Sequence, residues 1–376
     1  MDTLISGLLY AVSRRCDKLA RELDELHGKL SADDPRAATA RAMARRLQSR
    51  MGSEAKETER LADGIQELVR DSVDPGPGLR RRGMSRYRGS VVDSRFVEYY
   101  VIPFLRNFDE QAMELTDICR RIAMKVNWPH GNWPLVAPGA TSYFFFIAEH
   151  DEELILAPAL AGTSLLPLPD LVHEMAHPLV RNSARRQTIL GDWDRDEFVH
   201  DRVMATVGDI TFGQMAAHHW LAHGVEEIAC DVIAAWVCGP AYAWQHIRWC
   251  CGQRDGSSVY EDGDYHPPDH IRFEVIMRTL PHVAPAAEVD ELTSAWDAVI
   301  GADEGQVQQP ESGQQRPELY PPALVLELTD EVIQGCLRVG ILPFPEELEE
   351  DDPRSAFDKA WREMRTDPRG YHDRSL

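Results

Sequence analysis

The sequence predicts an α+β protein, predominantly helical, with one small sheet near its middle and helical regions at both ends. Three observations carry that expectation. Residues 3–30 and 36–71 are charged, rich in leucine and alanine, and helical in period. Two shorter segments, around 170–180 and 225–238, are apolar almost throughout, which suits helices inside a core. Between the two ends, 143–148 and 154–157 flank a charged turn and are rich in aromatic and β-branched residues, the pattern of a β-hairpin. The expected organisation is a helical hairpin over 1–74, a linker over 75–91, a central domain over 92–285, and a C-terminal helical region over 286–376 with a flexible stretch at 306–322.

Each element has a local reason. The first two helices are divided by Ser31-Ala32-Asp33-Asp34-Pro35, a turn-forming cluster, and make an α-hairpin or short coiled coil. Such a unit serves packing or self-association, or else recruits a partner. Asp74-Pro75-Gly76-Pro77-Gly78 then breaks the chain before the basic run Arg80 to Arg88, which reads as a solvated linker or a contact for an acidic partner. A helix is expected from Phe96 to Lys125, followed by a loop at Trp128 to Pro134. Gln306 to Pro322 is rich in Gln, Pro, Glu and Ser and is expected to be flexible. Helical patterning returns from Ala323, with acidic Glu346 to Asp352 between two helices.

At 376 residues the chain is long enough for two or three structural units. A net charge of −22 argues against nonspecific nucleic-acid binding, which depends on clustered Lys and Arg. Seven cysteines in no disulfide-scaffold spacing favour reduced thiols and a cytoplasmic setting. No apolar run reaches the roughly eighteen residues that span a bilayer, and the apolar opening at Leu4 to Val12 lacks the preceding positive charge of a signal peptide.

The segment that carries chemistry is His173-Glu174-Met175-Ala176-His177. Histidines four apart on a helix lie on one face, so both imidazoles can reach one zinc ion. The glutamate after the first histidine then points toward the open coordination position, where it can take a proton from water. Pro167 and Pro169 precede the helix, Asp170 is placed to cap it, and Pro178 is expected to kink or end it just after the second histidine.

A third ligand must come from elsewhere, and Glu227 is the candidate. Glu227 and Asp231 are four apart, so one carboxylate can bind the ion while the other fixes the tautomer of a ligating histidine. Glu226 has Cys230 at that offset, a poor acceptor, so Glu227 is preferred. The plain alternative is an acidic helix start favoured by the helix dipole. The helix continues through Trp236 and is closed by Gly239-Pro240.

HExxH followed some fifty residues later by ExxxD resembles the gluzincin class of zinc metallopeptidases. Tyr265-His266-Pro267-Pro268-Asp269-His270-Ile271-Arg272 is similar to the His-Pro segment and following arginine of the prenyl-protein-protease branch of that class. The resemblance covers roughly residues 140–280. It implies a zincin-like metallopeptidase core, Zn2+ held by His173, His177 and Glu227, Glu174 as general base, Asp231 behind a ligating histidine, and His266 and Arg272 at the substrate carbonyl or its oxyanion. The implied activity is hydrolysis of a peptide or protein substrate. That branch usually carries membrane spans; this chain has no run long enough, so lipid-modified substrates are not carried over. The hairpin arms at 143–157 either line a substrate cleft, where an edge strand pairs with an extended peptide, or form plain core.

Rival arrangements exist. Glu197-Phe198-Val199-His200 with Glu174 and His177 repeats the Glu-x-x-His of di-iron carboxylate bundles, but too little chain separates the two for a helix between them. His219, His223 and Glu227 fall every four residues on one possible helix face. A non-catalytic, metallopeptidase-like binding or regulatory module is the remaining alternative, against which the intact Glu174 speaks.

Overall fold

The computed structural model describes residues 2–30, 34, 37–129, 134–139, 145–149, 152–158, 165–181, 183–252, 266–303 and 319–366. It is predominantly helical with a small sheet and falls into two compact units, Met1–Asp117 with 134–143 and 147–159, and Ile118–Trp133 with 144–146 and 160–376.

In the first unit, α1 (Asp2–Lys29) and α2 (Ala38–Arg70) form the expected hairpin. Ile5, Leu9, Val12, Cys16, Leu19, Leu23 and Leu26 are all buried, and their alternating spacing of four and three is a coiled-coil seam. The chain does not become a linker afterwards. Residues 75–91 lie almost entirely within α3 (Gly76–Phe96), which packs on both arms of the hairpin. Pro77 sits in the first turn, where its missing N–H costs nothing, so the Pro-Gly cluster starts a helix instead of ending order. Two arginines of the basic run pair within the unit, Arg80 with Asp2 at 2.6 Å and with Asp74, and Arg86 with Glu57 and Glu54, while Arg81, Arg82 and Arg88 are exposed. Gly83 allows the close approach, since a methyl there would lie 2.8 Å from Ile5 Cγ2.

The helix expected over 96–125 is broken. A π-helical turn at Val97–Val101 leads into α4 (Ile102–Arg106), and α5 (Glu110–Lys125) restarts after Asp109, whose carboxylate accepts the Ala112 N–H at 3.0 Å. Phe96, Val97, Val101, Ile102, Phe104 and Leu105 share one apolar cluster with Val12 to Leu26 and Met43 to Met51. The N-terminal hairpin is therefore part of the core of this unit rather than a separable module, and a chain starting near Ser90 would cut α3 in two. Three strands, β1 (Leu135–Gly139), β2 (Phe145–Glu149) and β3 (Glu152–Pro158), form a sheet in the order β1-β3-β2, with β1 parallel to β3. The hairpin arms were legible; β1 was not, because its Pro138 argues against a strand except at an edge, where it lies.

The second unit is built around helices. They are α6 (Pro169–Arg181), α7 (Ser183–Leu190), α8 (Asp196–Val207), α9 (Ile210–His219), α10 (Val225–Cys238), α11 (Pro240–Gly252), α12 (Asp269–Thr279), α13 (Ala286–Asp303), α14 (Pro322–Val339) and α15 (Pro353–Thr366). Every residue of α10 but Glu226 is buried, and α6, α11, α12 and α14 all pack on it. The region 286–376 is thus no appendage: α14 covers α7 and α10, and α15 covers α11. Trp236 Nε1 donates to the Ile341 carbonyl at 3.0 Å and Phe344 N–H to the Trp236 carbonyl at 2.7 Å, tying the segment after α14 to α10. The acidic stretch 346–352 does run between two helices. Within it Asp352 pairs with buried Arg354, and Lys125 holds Glu349 and Asp351. Of the stretch expected to be flexible, Leu319 and Tyr320 are buried, with the Leu319 carbonyl accepting Trp220 Nε1–H at 2.9 Å. Its residues 306–318 lie outside those described, as do most of 31–36, the loop 130–133, Tyr143-Phe144, 150–151 and Tyr265.

Gly335 on α14 faces α7 so closely that an added methyl would sit 2.6 Å from Ile189 Cα and 2.7 Å from its carbonyl carbon. Because the obstacle is backbone, Gly335→Ala is expected to destabilise the protein by about 1–3 kcal/mol, read by denaturant unfolding. An unchanged midpoint would mean that these helices separate freely.

Candidate metal centre

Helix α6 places its whole apolar surface and the motif inside the second unit: His173, Glu174 and His177 are all buried. Pro178 neither ends nor breaks the helix, which runs three residues further to Arg181. The bond lost is the one from position 178 to the Glu174 carbonyl.

Helix α10 crosses α6 and presents three carboxylates to the two imidazoles. Asp231 Oδ1 lies 2.9 Å from His173 Nδ1, and Glu226 Oε1 lies 2.6 Å from His177 Nδ1. Each imidazole is therefore gripped at Nδ1 and turns Nε2 inward. There Glu227 stands between them, its oxygens 3.2 Å from His173 Nε2 and 3.7 Å from His177 Nε2. Glu174 Oε2 is 3.7 Å from His177 Nε2 and accepts the Phe146 N–H at 2.9 Å. The Phe146 ring stacks on His177 at 5.5 Å and carries the Arg181 guanidinium on its face. The first hairpin arm therefore does reach this site.

Outer contacts hold the carboxylates. Arg272 donates to both oxygens of Asp231, at 2.8 and 2.7 Å, and the Tyr242 hydroxyl donates to Asp231 Oδ1 at 2.5 Å while lying 3.1 Å from His173 Nδ1. Arg181 Nε–H donates to Glu226 at 2.7 Å. His266, whose side chain is 48% exposed, sits with Nδ1 2.8 Å from Glu227 Oε2.

Electrostatics match this arrangement. Burial disfavours charge on Asp231, yet Arg272 and His173 hold its carboxyl far below the usual range. Burial likewise works against Glu227, but His173 and His266 keep it ionised well below its ordinary value. Burial pushes the Glu174 carboxyl up, with only partial opposition from His177 and His173. On His173 burial opposes the imidazolium, and Asp231 and then Glu227 more than offset it, pushing the group up to about 10. A positive charge is strongly favoured between those carboxylates. A proton or a metal cation can supply it.

One group of side chains here could hold a metal ion. His173, Glu174 and His177 offer ligand atoms within 4.8 Å of one another. Glu227 is not within that group, although its oxygens lie 3.2 Å from His173 Nε2 and 3.7 Å from His177 Nε2.

The geometry brings together His173, Glu174, His177, Glu227, Asp231 and His266, all named from the sequence. The Arg272 guanidinium, expected from the resemblance at the substrate carbonyl, is engaged by Asp231 and neutralises that carboxylate. Two participants were missed. Glu226 was set aside because its i+4 neighbour is Cys230, but its partner His177 lies on another helix. Tyr242 follows the Gly239-Pro240 break and carried no sequence signal.

The rival sets separate. A π-helical segment, Trp220–Gly224, joins α9 to α10 and inserts one residue into the helical repeat. Among the described residues, neither His219 nor His223 belongs to a group of side chains close enough together to hold one ion. Glu197 and His200 are exposed on α8, away from any such cluster among those residues. No helix among the described residues is long and apolar enough to cross a membrane. No family model, curated protein or solved structure matches the chain, so the residues themselves carry the functional assignment.

Proposed function

We propose that this protein is a zinc-dependent peptidase of the gluzincin kind, with a zincin-like core, in which His173, His177 and Glu227 hold the metal. One observation carries the proposal: two buried imidazoles, each clasped at Nδ1 by a carboxylate of α10, turn Nε2 toward Glu227 with Glu174 alongside. A core histidine pair needs no such double clasp. Zinc bound there would supply Lewis acidity, acidifying a water and polarising the substrate carbonyl.

The chain's own groups do the rest. Glu174 takes the proton of the attacking water as the water oxygen bonds to the carbonyl carbon. It then delivers that proton to the amine nitrogen as the C–N bond breaks. The Phe146 N–H holds one of its oxygens and so sets its aim. His266, half-exposed and held against Glu227 through Nδ1, is placed to contact a substrate bound at this site. Asp231, backed by Arg272 and Tyr242, keeps His173 in the tautomer that leaves Nε2 for the metal. All seven cysteines are free thiols, which supports a reducing, cytoplasmic setting.

The deciding experiment incubates the zinc-loaded full chain with a library of unstructured peptides. Cleavage that a chelator abolishes and zinc restores is expected. Firm zinc binding with no cleavage of any peptide would replace the peptidase by the non-catalytic module. Tyr242→Phe removes only the hydroxyl that shares Asp231 with His173. It is expected to weaken zinc binding at this site by roughly tenfold, within the usual range for a partner behind a metal ligand. Unaltered affinity in a zinc-buffered titration would leave Asp231 and Arg272 as the whole support.

A further inference from the structure

Tyr242, His246 and Cys250 fall four residues apart on α11 and so share one face. Tyr242 reaches Asp231 in the site above. One and two turns on, His246 and Cys250 are each 4% exposed and meet Asp269, the first residue of α12. The three offer ligand atoms that all lie within 4.8 Å of one another. Cys250 Sγ is 3.7 Å from His246 Nε2, and His246 Nε2 is 4.0 Å from Asp269 Oδ1. Bonds of the usual zinc–nitrogen, –oxygen and –sulfur lengths, set at tetrahedral angles, give edges of roughly 3.3–3.8 Å, so small side-chain movements would close the set.

We propose that His246, Cys250 and Asp269 form a second metal site, distinct from the HExxH centre, for a zinc-like divalent cation with a fourth position left to water. Sulfur and imidazole donors select such a cation over magnesium or calcium. On binding, the Cys250 S–H bond breaks, its proton leaves to solvent and the Sγ–metal bond forms. His246 carries its proton on Nδ1 and gives the Nε2 lone pair to the metal. Without a metal, His246 Nε2–H donates to the Asp269 carbonyl at 3.0 Å and the ring stacks against Phe273 and Trp296. The site thus has a satisfied metal-free state. Burial pushes the Cys250 thiol up, which suits a thiol that waits for a metal better than a nucleophile. Because α11 carries Tyr242 and α12 carries Arg272, a cation here would pin together the two helices that hold Asp231.

Cobalt(II) separates the two sites, since His173, His177 and Glu227 contain no sulfur. The chelator-stripped full chain is titrated with Co2+ and watched for a thiolate-to-metal charge-transfer band in the near ultraviolet. The band is expected in the unaltered protein and in His177→Ala, absent in Cys250→Ser, and shifted to at least about tenfold higher Co2+ in Asp269→Asn. No band in the unaltered protein, or the same band in Cys250→Ser, overturns the proposal. Should Cys250→Ser fail to fold, zinc content decides: His177→Ala is expected to retain about one equivalent per chain, and retention of none overturns the second site. Loss of the HExxH zinc alone leaves that outcome unchanged, so the two assignments fail separately.

Discussion

Glu174→Gln is expected to keep zinc at the HExxH site while losing at least about two orders of magnitude in kcat. The amide is isosteric and retains an oxygen to accept the Phe146 N–H, so the helix, the hairpin arm and the imidazoles keep their places. What it loses is the lone pair that accepts a proton. Glu174 also stands apart from the ligands in a specific way. Glu227 and Glu174 both lie 3.7 Å from His177 Nε2, but only Glu227 also comes within 3.2 Å of His173 Nε2, and Glu174 is held instead by the Phe146 N–H. Single-turnover kinetics with metal analysis on the same sample make the comparison. Full turnover with zinc retained would remove Glu174 as the base.

His177→Ala is expected to cost the protein about one equivalent of zinc, and Glu227→Ala the same, by elemental analysis of protein equilibrated in buffered zinc. Removing His177 strips one Nε2 donor and strands Glu226, which would keep only Arg181 as a partner. Removing Glu227 takes away the carboxylate that both remaining donors face. His219→Ala and His223→Ala serve as controls and should leave zinc content unchanged, because neither belongs to a group that could hold an ion among the described residues. Zinc that follows His219 or His223 instead would put the metal on α9 and its extension.

What could be read from the chain was whatever one helix decides alone. His173 and His177 share a face because they are four apart, and Glu227 and Asp231 do so for the same reason. Those four residues were named with no knowledge of how α6 and α10 cross. Glu226 escaped because its value depends on that crossing: adjacent residues point about 100° apart on a helix, and only an imidazole approached from both sides makes use of both. Tyr242 and the true partner of Arg272 were hidden for the same reason. So were the partners of Arg80 and Arg86 on α3, which are Asp2, Glu54 and Glu57 from other helices, while Arg81, Arg82 and Arg88 do face solvent. The N-terminal hairpin was correctly read as two helices, but its alternating four-and-three spacing says only that it must be covered, not by what.

The π-helical turn at Trp220–Gly224 has a consequence for how this protein can change. It acts as a phase shifter between two helices that answer to different neighbours. Before it, α9 turns Gly213, Ala216 and Ala217 inward; after it, α10 turns Glu227 and Asp231 inward. The extra residue absorbs the offset between those two faces. A residue gained or lost between Glu227 and Asp231 has no such shelter. It would swing one carboxylate by about 100° relative to the other and let go of one end of His173. Tolerance of length variation should therefore stop abruptly at Val225, two residues before Glu227.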